Sequence, residues 1–148
     1  MTRTVSGIDH LLSQPEKYLQ GKTVGLIVNH TSLAGDGKHS ITHFLSHSAF
    51  TLQALFAPEH GLNGTAQDMT PIDNEVDLLS GLDIKSLYGK NKDSLVPDPA
   101  LLHDIDNLVF DIQDIGSRYY TFIYTMANCM IICKQAGTRM VVCDRPNP

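Results

Sequence analysis

Val24-Gly25-Leu26-Ile27-Val28 runs without interruption into Asn29-His30-Thr31. A short, continuously apolar run that stops on polar turn residues reads as a strand buried on both faces. With Thr23 it forms a first strand over residues 23–28. The same event recurs four times. Residues 52–56 run into Ala57-Pro58-Glu59-His60-Gly61, and residues 84–87 into Tyr88-Gly89. Leu108-Val109-Phe110 runs into Asp111, and residues 140–143 into Asp144-Arg145. Five strands are therefore expected, over residues 23–28, 51–56, 83–87, 107–112 and 139–143.

Helical patterns fill the intervals. Ile8, Leu11 and Leu12 predict a short helix before the sheet, loosely closed by Gly21. A turn over Ala34-Gly35-Asp36-Gly37 leads to a helix over residues 38–48. Pro97 and Pro99 precede a brief helix over residues 100–103. A long helix over residues 118–135, stopped by Gly137, is apolar on most faces and is expected to be largely buried. Residues 63–80 carry Gly64, Pro71, Asp68, Asp73, Glu75 and Asp77 and read as a loop, with room for one helical turn. A loop of that length is usually functional or mobile.

Apolar strands alternating with helices predict one α/β domain over residues 1–148, a Rossmann-like three-layer fold with a mainly parallel sheet of about five strands. Ligands of such sheets bind beyond the carboxyl ends of the strands, at a topological switch point. That rule gathers Asn29, His30, Glu59, His60, Tyr88, Asp111, Asp114 and Asp144 onto one edge.

Composition narrows the function. The 148 residues carry a formal charge of -5, with a pI near 5.7. No basic stripe supports binding to nucleic acid or to an anionic membrane. No apolar run approaches the roughly 20 residues of a membrane helix. The amino terminus has no apolar signal core, so the chain as written is expected in the cytoplasm; removal of a leader would place it in the periplasm or outside the cell. Cys129, Cys133 and Cys143 are expected as small buried hydrophobes.

The turn after the first strand lacks Gly-x-Gly-x-x-Gly, and no Walker loop is present. No Gly-x-Ser-x-Gly elbow appears. No cofactor is expected. His39, His43 and His47 share one helix face and read as a solvated polar face. A metal held by His30, His60, Asp111 and Asp114 is a weaker alternative, and no metal is assigned.

Glu59 is the leading acid/base candidate, since a carboxyl at the end of a buried strand can be desolvated towards the pKa of a general acid. The bland alternative is a Glu that ties its loop. His60 orients Glu59 or a substrate, or packs in the loop. In Asp111-Ile112-Gln113-Asp114-Ile115-Gly116-Ser117-Arg118-Tyr119-Tyr120, Arg118 either pairs with one of the two aspartates or clamps a substrate carboxylate. Tyr119 and Tyr120 offer a ring for sugar stacking, and at least one of them is expected in the core.

Together these segments, with Gly25-Leu26-Ile27-Val28-Asn29-His30-Thr31, Ser86-Leu87-Tyr88-Gly89 and Asp144-Arg145-Pro146-Asn147-Pro148, resemble the NamZ-type exo-β-N-acetylmuramidases, long known as a domain of unknown function. The resemblance covers nearly the whole chain. It implies the Rossmann-like amino-terminal domain of a glycosidase that removes N-acetylmuramic acid from the non-reducing ends of muropeptide-derived glycans. Glu59 matches the catalytic glutamate, and Asn29, His60, Asp111, Asp114, Arg118 and Tyr120 match polar positions around the cleft. His30, Tyr119 and Asp144 join them as candidates from the strand-end rule. The family usually carries an Arg after Glu-His-Gly, where this chain has Leu62-Asn63-Gly64. The chain stops in the loop after its fifth strand, so a fragment or truncation is expected, lacking the smaller carboxyl-terminal domain and a further glutamate. Two alternatives follow: a catalytic amino-terminal portion, or a non-catalytic sugar-binding or partner-binding remnant. A muropeptide or amino-sugar substrate is expected, and an oligomer or a second chain is a candidate to complete the site.

Overall fold

The computed structural model describes residues 4–58, 75–87 and 98–146. The candidates Glu59, His60 and Tyr88 lie outside them. Five parallel strands form the body of the sheet: β1 Thr23–Ile27, β2 Thr51–Ala57, β4 Asp83–Ser86, β5 Asn107–Phe110 and β6 Arg139–Val142. A sixth, β3 Glu75–Val76, pairs antiparallel with β4 inside the stretch read as a loop. Two residues of backbone pairing leave no periodicity in a sequence, which is why the strand is invisible there. The order is β3-β4-β2-β1-β5-β6.

β1 therefore sits centrally, and successive connections leave it in opposite directions. The helix α3, Ser40–Ser46, leads to β2 and packs on one face. The helix α4, Phe122–Ala136, leads from β5 to β6 and packs on the other. Alternation along the strands builds both cores. Val24, Leu26, Val28, Leu52, Leu55 and Val109 meet Ile41 and Phe44 of α3, and Ile8 and Leu11 of α1, Gly7–Ser13. Ile27, Phe56, Leu108 and Phe110 meet Phe122, Cys129 and Ile132 of α4. Burying each such side chain contributes about 1.5–3 kcal/mol.

The expected helices need trimming. A second short helix, α2 Pro15–Tyr18, follows α1, with Pro15 in its first turn. The helix expected over residues 38–48 is shorter because His39 and His47 cap it instead of sharing its face. His39 accepts from the Ile41 amide at 3.3 Å, and His47 stacks on Phe50 with ring centroids 4.7 Å apart. The short helix after Pro97 is a 3-10 turn, Pro99–Leu102.

The long helix begins at Phe122 because residues 117–120 close a turn of their own. The Ser117 carbonyl accepts from the Tyr120 amide at 3.1 Å. Tyr119, 95% exposed, and Tyr120 are thus surface residues, against the expectation that one is core. Nor is α4 largely buried. It covers the sheet from one side, so Phe122, Thr125, Cys129, Ile132 and Cys133 face inward while Ile123, Tyr124, Met130 and Ile131 are exposed. Gly137 ends it in the left-handed conformation, φ 74°. The three cysteines are free and buried, and burial pushes the thiols of Cys129 and Cys133 up to about 12 and about 11. No helix among the described residues is long and apolar enough to cross a membrane.

Candidate functional site at the switch point

β1 and β5 are neighbours whose following loops diverge, which makes their carboxyl ends the switch point. Two loops and the exit of β6 meet there around a single carboxylate. Asp111 is 0% exposed. Its Oδ1 accepts from Arg145 Nε at 2.8 Å and Nη2 at 2.7 Å. Its Oδ2 faces the Ser40 hydroxyl, and its backbone carbonyl accepts from the Ser32 hydroxyl. Ser40 Oγ also lies 3.0 Å from the Ser32 carbonyl, and its one proton serves one acceptor at a time. Arg145 Nη2 reaches further, to the Leu33 carbonyl at 3.1 Å. One buried ion pair thus joins β5, the loop after β1, the start of α3 and the strand exit of β6. Burial pushes the Asp111 carboxyl above its ordinary value, and the Ser40 hydroxyl and Arg145 oppose that push.

Asn29, 2% exposed, closes the loop after β1 on itself. Its Oδ1 accepts from the Thr31 amide at 2.9 Å and the Thr31 hydroxyl at 2.6 Å. Its amide donates to Ser32 Oγ, its carbonyl accepts from the Ser32 amide, and the His39 Nε2–H donates to the same carbonyl at 2.9 Å. In dinucleotide-binding sheets the backbone amides of the turn after the first strand cradle a pyrophosphate; here the amides of Asn29, Thr31 and Ser32 are bonded inside the turn. The Gln113 amide donates to Thr31 Oγ1 at 3.1 Å and fastens the two loops together.

The sequence candidates therefore divide. Asn29 and Asp111 come together, buried and bonded to protein. His30, Arg118, Tyr119, Tyr120 and Asp144 are exposed. The partner of Asp111 is Arg145, 34 residues away, instead of the nearby Arg118. Asp114 accepts from the Gly116 amide through Oδ2 at 3.1 Å, while its buried Oδ1 has no partner among the described residues. Sequence reasoning passed over Arg145, Ser32 and Ser40. The signal for Arg145 was its place just past the fifth strand; nothing local marks the serines. His39, His43 and His47 do not converge, and no group of three His, Cys, Asp or Glu suited to a metal occurs among the described residues.

Two cavities lie at opposite edges of the sheet. One of about 260 Å³ opens between the ends of β5 and β6 and the first turns of α4. A larger one, about 900 Å³, lies at the opposite, amino-terminal edge around Asp106 and Arg139. None of the candidate site residues lines that larger cavity, and the Asp106 carboxylate there already holds the Lys22 and Thr23 amides at 2.8 and 2.9 Å.

These features define a Rossmann-like α/β protein whose switch point is filled by its own side chains instead of being left open for a nucleotide phosphate. The chain belongs to the NamZ family: residues 24–148 match the family described as exo-beta-N-acetylmuramidase NamZ, N-terminal. It is 43% identical over 143 residues to the peptidoglycan beta-N-acetylmuramidase NamZ of Bacillus subtilis (strain 168), covering 97% of this chain and 34% of that one. A crystal structure of a DUF1343 family protein from Bacteroides fragilis NCTC 9343 superposes with a TM-score of 0.83 at 40% identity, over 97% of this chain and 35% of the other. A second protein of that family and strain gives 0.76 at 29% identity, over 99% and 36%. The chain thus spans about a third of the length of these relatives.

Proposed function

We propose that the chain is the amino-terminal portion of a glycoside hydrolase of peptidoglycan turnover or recycling, one that releases N-acetylmuramic acid from the non-reducing ends of muropeptide-derived glycans. The observation that carries this reading is the 43% identity to a peptidoglycan β-N-acetylmuramidase over 97% of the chain. Glu59 is the general acid, protonating the glycosidic oxygen as the bond to the sugar breaks. Its position in the chain supports the role: it is the next residue after Pro58, which is itself buried just past the carboxyl end of β2, the strand that pairs with β1. The exposed His30, Tyr119, Tyr120 and Asp144 are assigned to the sugar, and the guanidinium of Arg118 to the lactyl carboxylate. Buried Asn29 and Asp111 shape the edge from beneath. The test is Glu59→Gln in a protein that contains this chain together with the remainder its relatives possess. Release of muramic acid should be lost with the fold intact, and unchanged turnover would remove Glu59 from the role.

A second reading has one observation in its favour. Glycoside hydrolysis generally uses two carboxyl groups about the scissile bond, and this chain spans only a third of its relatives. On that reading the 148 residues bind an amino sugar without cleaving it. Turnover of a chromogenic muramic acid glycoside by the isolated chain would refute it.

A further inference from the structure

The two edges of the sheet are finished differently. β3 ends one side as a two-residue antiparallel strand, the short kind that leaves little edge for another chain to join. β6 ends the other side, four residues long and parallel to its neighbour. It contains no Pro, and its pairing with β5 runs without a bulge. The Arg139 and Cys143 amides donate to the Asp106 and Phe110 carbonyls at 3.0 and 2.9 Å. Backbone groups alternate in direction along a strand, so those of Met140 and Val142 point away from β5. Just past the strand, the Asp144 carbonyl holds the Gly7 amide at 2.8 Å and closes that end. The four residues of β6 are left open, and no strand among the described residues lies beyond them.

Apolar surface flanks the open edge on both faces. On the α4 side, the exposed Val142 shares the cavity of about 260 Å³ with Ile123 and Met126. Met130 continues their row, at the i, i+3, i+7 spacing of one helix flank, and Ile123 and Met130 are both exposed. With Met140 on the same face of β6 as Val142, these side chains form an apolar trough along one flank of α4. On the other face, Leu11, Tyr18 and Val141 line a cavity of about 210 Å³ between α1, α2 and β6. Parallel sheets are normally covered on both faces, and at β6 neither cover is complete.

Strand order and handedness say what completes it. The run β4-β2-β1-β5-β6 reproduces the first five positions of the doubly wound order 3-2-1-4-5-6. The sixth position lies on the open side of β6. A right-handed crossover from β6 to that position runs over the face that α4 covers, as the crossover from β5 to β6 does. Its helix would therefore lie in the trough of Ile123, Met126 and Met130. The relatives are about three times the length of this chain, ample for such a unit. We infer that β6 and the adjoining flank of α4 receive a helix and a further parallel strand from the additional length that these relatives possess. The inference is independent of the reaction assigned to the carboxyl edge.

The test is amide hydrogen exchange, residue by residue, in the 148-residue chain and in a protein that also contains the remainder its relatives possess. In the chain, Met140 and Val142 should exchange at least about tenfold faster than Val141, whose amide faces β5. In the longer protein both should slow at least about tenfold. Val142→Pro removes an amide hydrogen on the open side, where edge strands tolerate proline. In the longer protein it should return Met140 to the rate seen in the chain. Unchanged rates for Met140 and Val142 in the longer protein would overturn the inference. So would slow exchange in the chain alone that quickens on dilution, which would give the edge to a second copy.

Discussion

Two aspartates bracket β5, and the fold treats them in opposite ways. Asp106 precedes the strand on the amino-terminal edge and is exposed; Asp111 follows it on the carboxyl edge and is fully buried. Asp106 holds backbone amides, and the Thr23 amide first, then the Thr23 hydroxyl and the Lys22 amide, pull its carboxyl below the ordinary 3.8. Asp111 holds a guanidinium and a hydroxyl, yet burial raises it above 3.8. The same residue type thus closes both ends of one strand. Water supports the first closure and is excluded from the second, so only the second depends on a partner charge. A buried ion pair adds little net stability over an apolar replacement but is costly to break from one side, and this one lies on the edge assigned to function.

The strongest way to break this contrast is Asp111→Ala. It strands Arg145 beside an empty carboxylate site and should cost about 3–5 kcal/mol of unfolding free energy in urea titrations. A loss near zero would mean that the pair is dispensable. Arg145→Lys asks whether charge or shape matters: an ammonium cannot reproduce the reach of one guanidinium to both Asp111 and Leu33, and about 1–3 kcal/mol should be lost. Gly7→Ala probes the same edge from the amino terminus. A Cβ there would lie 2.4 Å from the Asp144 backbone nitrogen, and α1 is tied at that point by the Gly7 amide donating to the Asp144 carbonyl at 2.8 Å. Overpacking against backbone should cost about 1–3 kcal/mol.

The smallest effect is also the sharpest. In a carboxyl-carbon titration Asp106 should change state below 3.8 and Asp111 above it. For Asp106 the folded value is depressed, so its stabilisation is complete above 3.8 and disappears as pH falls through the folded value. For Asp111 the folded value is raised, so stability falls as pH rises from 3.8 through that value. Asp106→Asn should accordingly flatten the acid limb of the stability profile. Both aspartates titrating on the same side of 3.8 would end the comparison.

Much of this edge is legible in the sequence. Apolar runs such as Val24-Gly25-Leu26-Ile27-Val28 give both the strands and the points where they stop, and the strand-end rule brings Asn29 and Asp111 together correctly. What the sequence hides is partnership at long range. Spacing makes Arg118 the natural neighbour of Asp111, because local pairs are cheap to imagine; the actual partner arrives with β6. Apolar composition likewise showed that α4 has a buried face without showing how much of it stays outside. β3 and the hydroxyls of Ser32 and Ser40 leave no pattern at all, since backbone pairing and single hydrogen bonds impose none.

The strand order has a bearing on how the chain comes into being. β1 and β2 can pair early through the short α3 crossover, but the other side of β1 is matched only by Asn107–Phe110. During synthesis the future centre of the sheet is therefore a bare apolar edge, a ready template for another nascent copy. Closing that pairing requires a loop of some eighty residues, from Ile27 to Asn107, a slow step by the rule that non-local contacts delay folding. Early termination before β5 should yield inclusion bodies, whereas the chain carried through β6 has its central strand sealed.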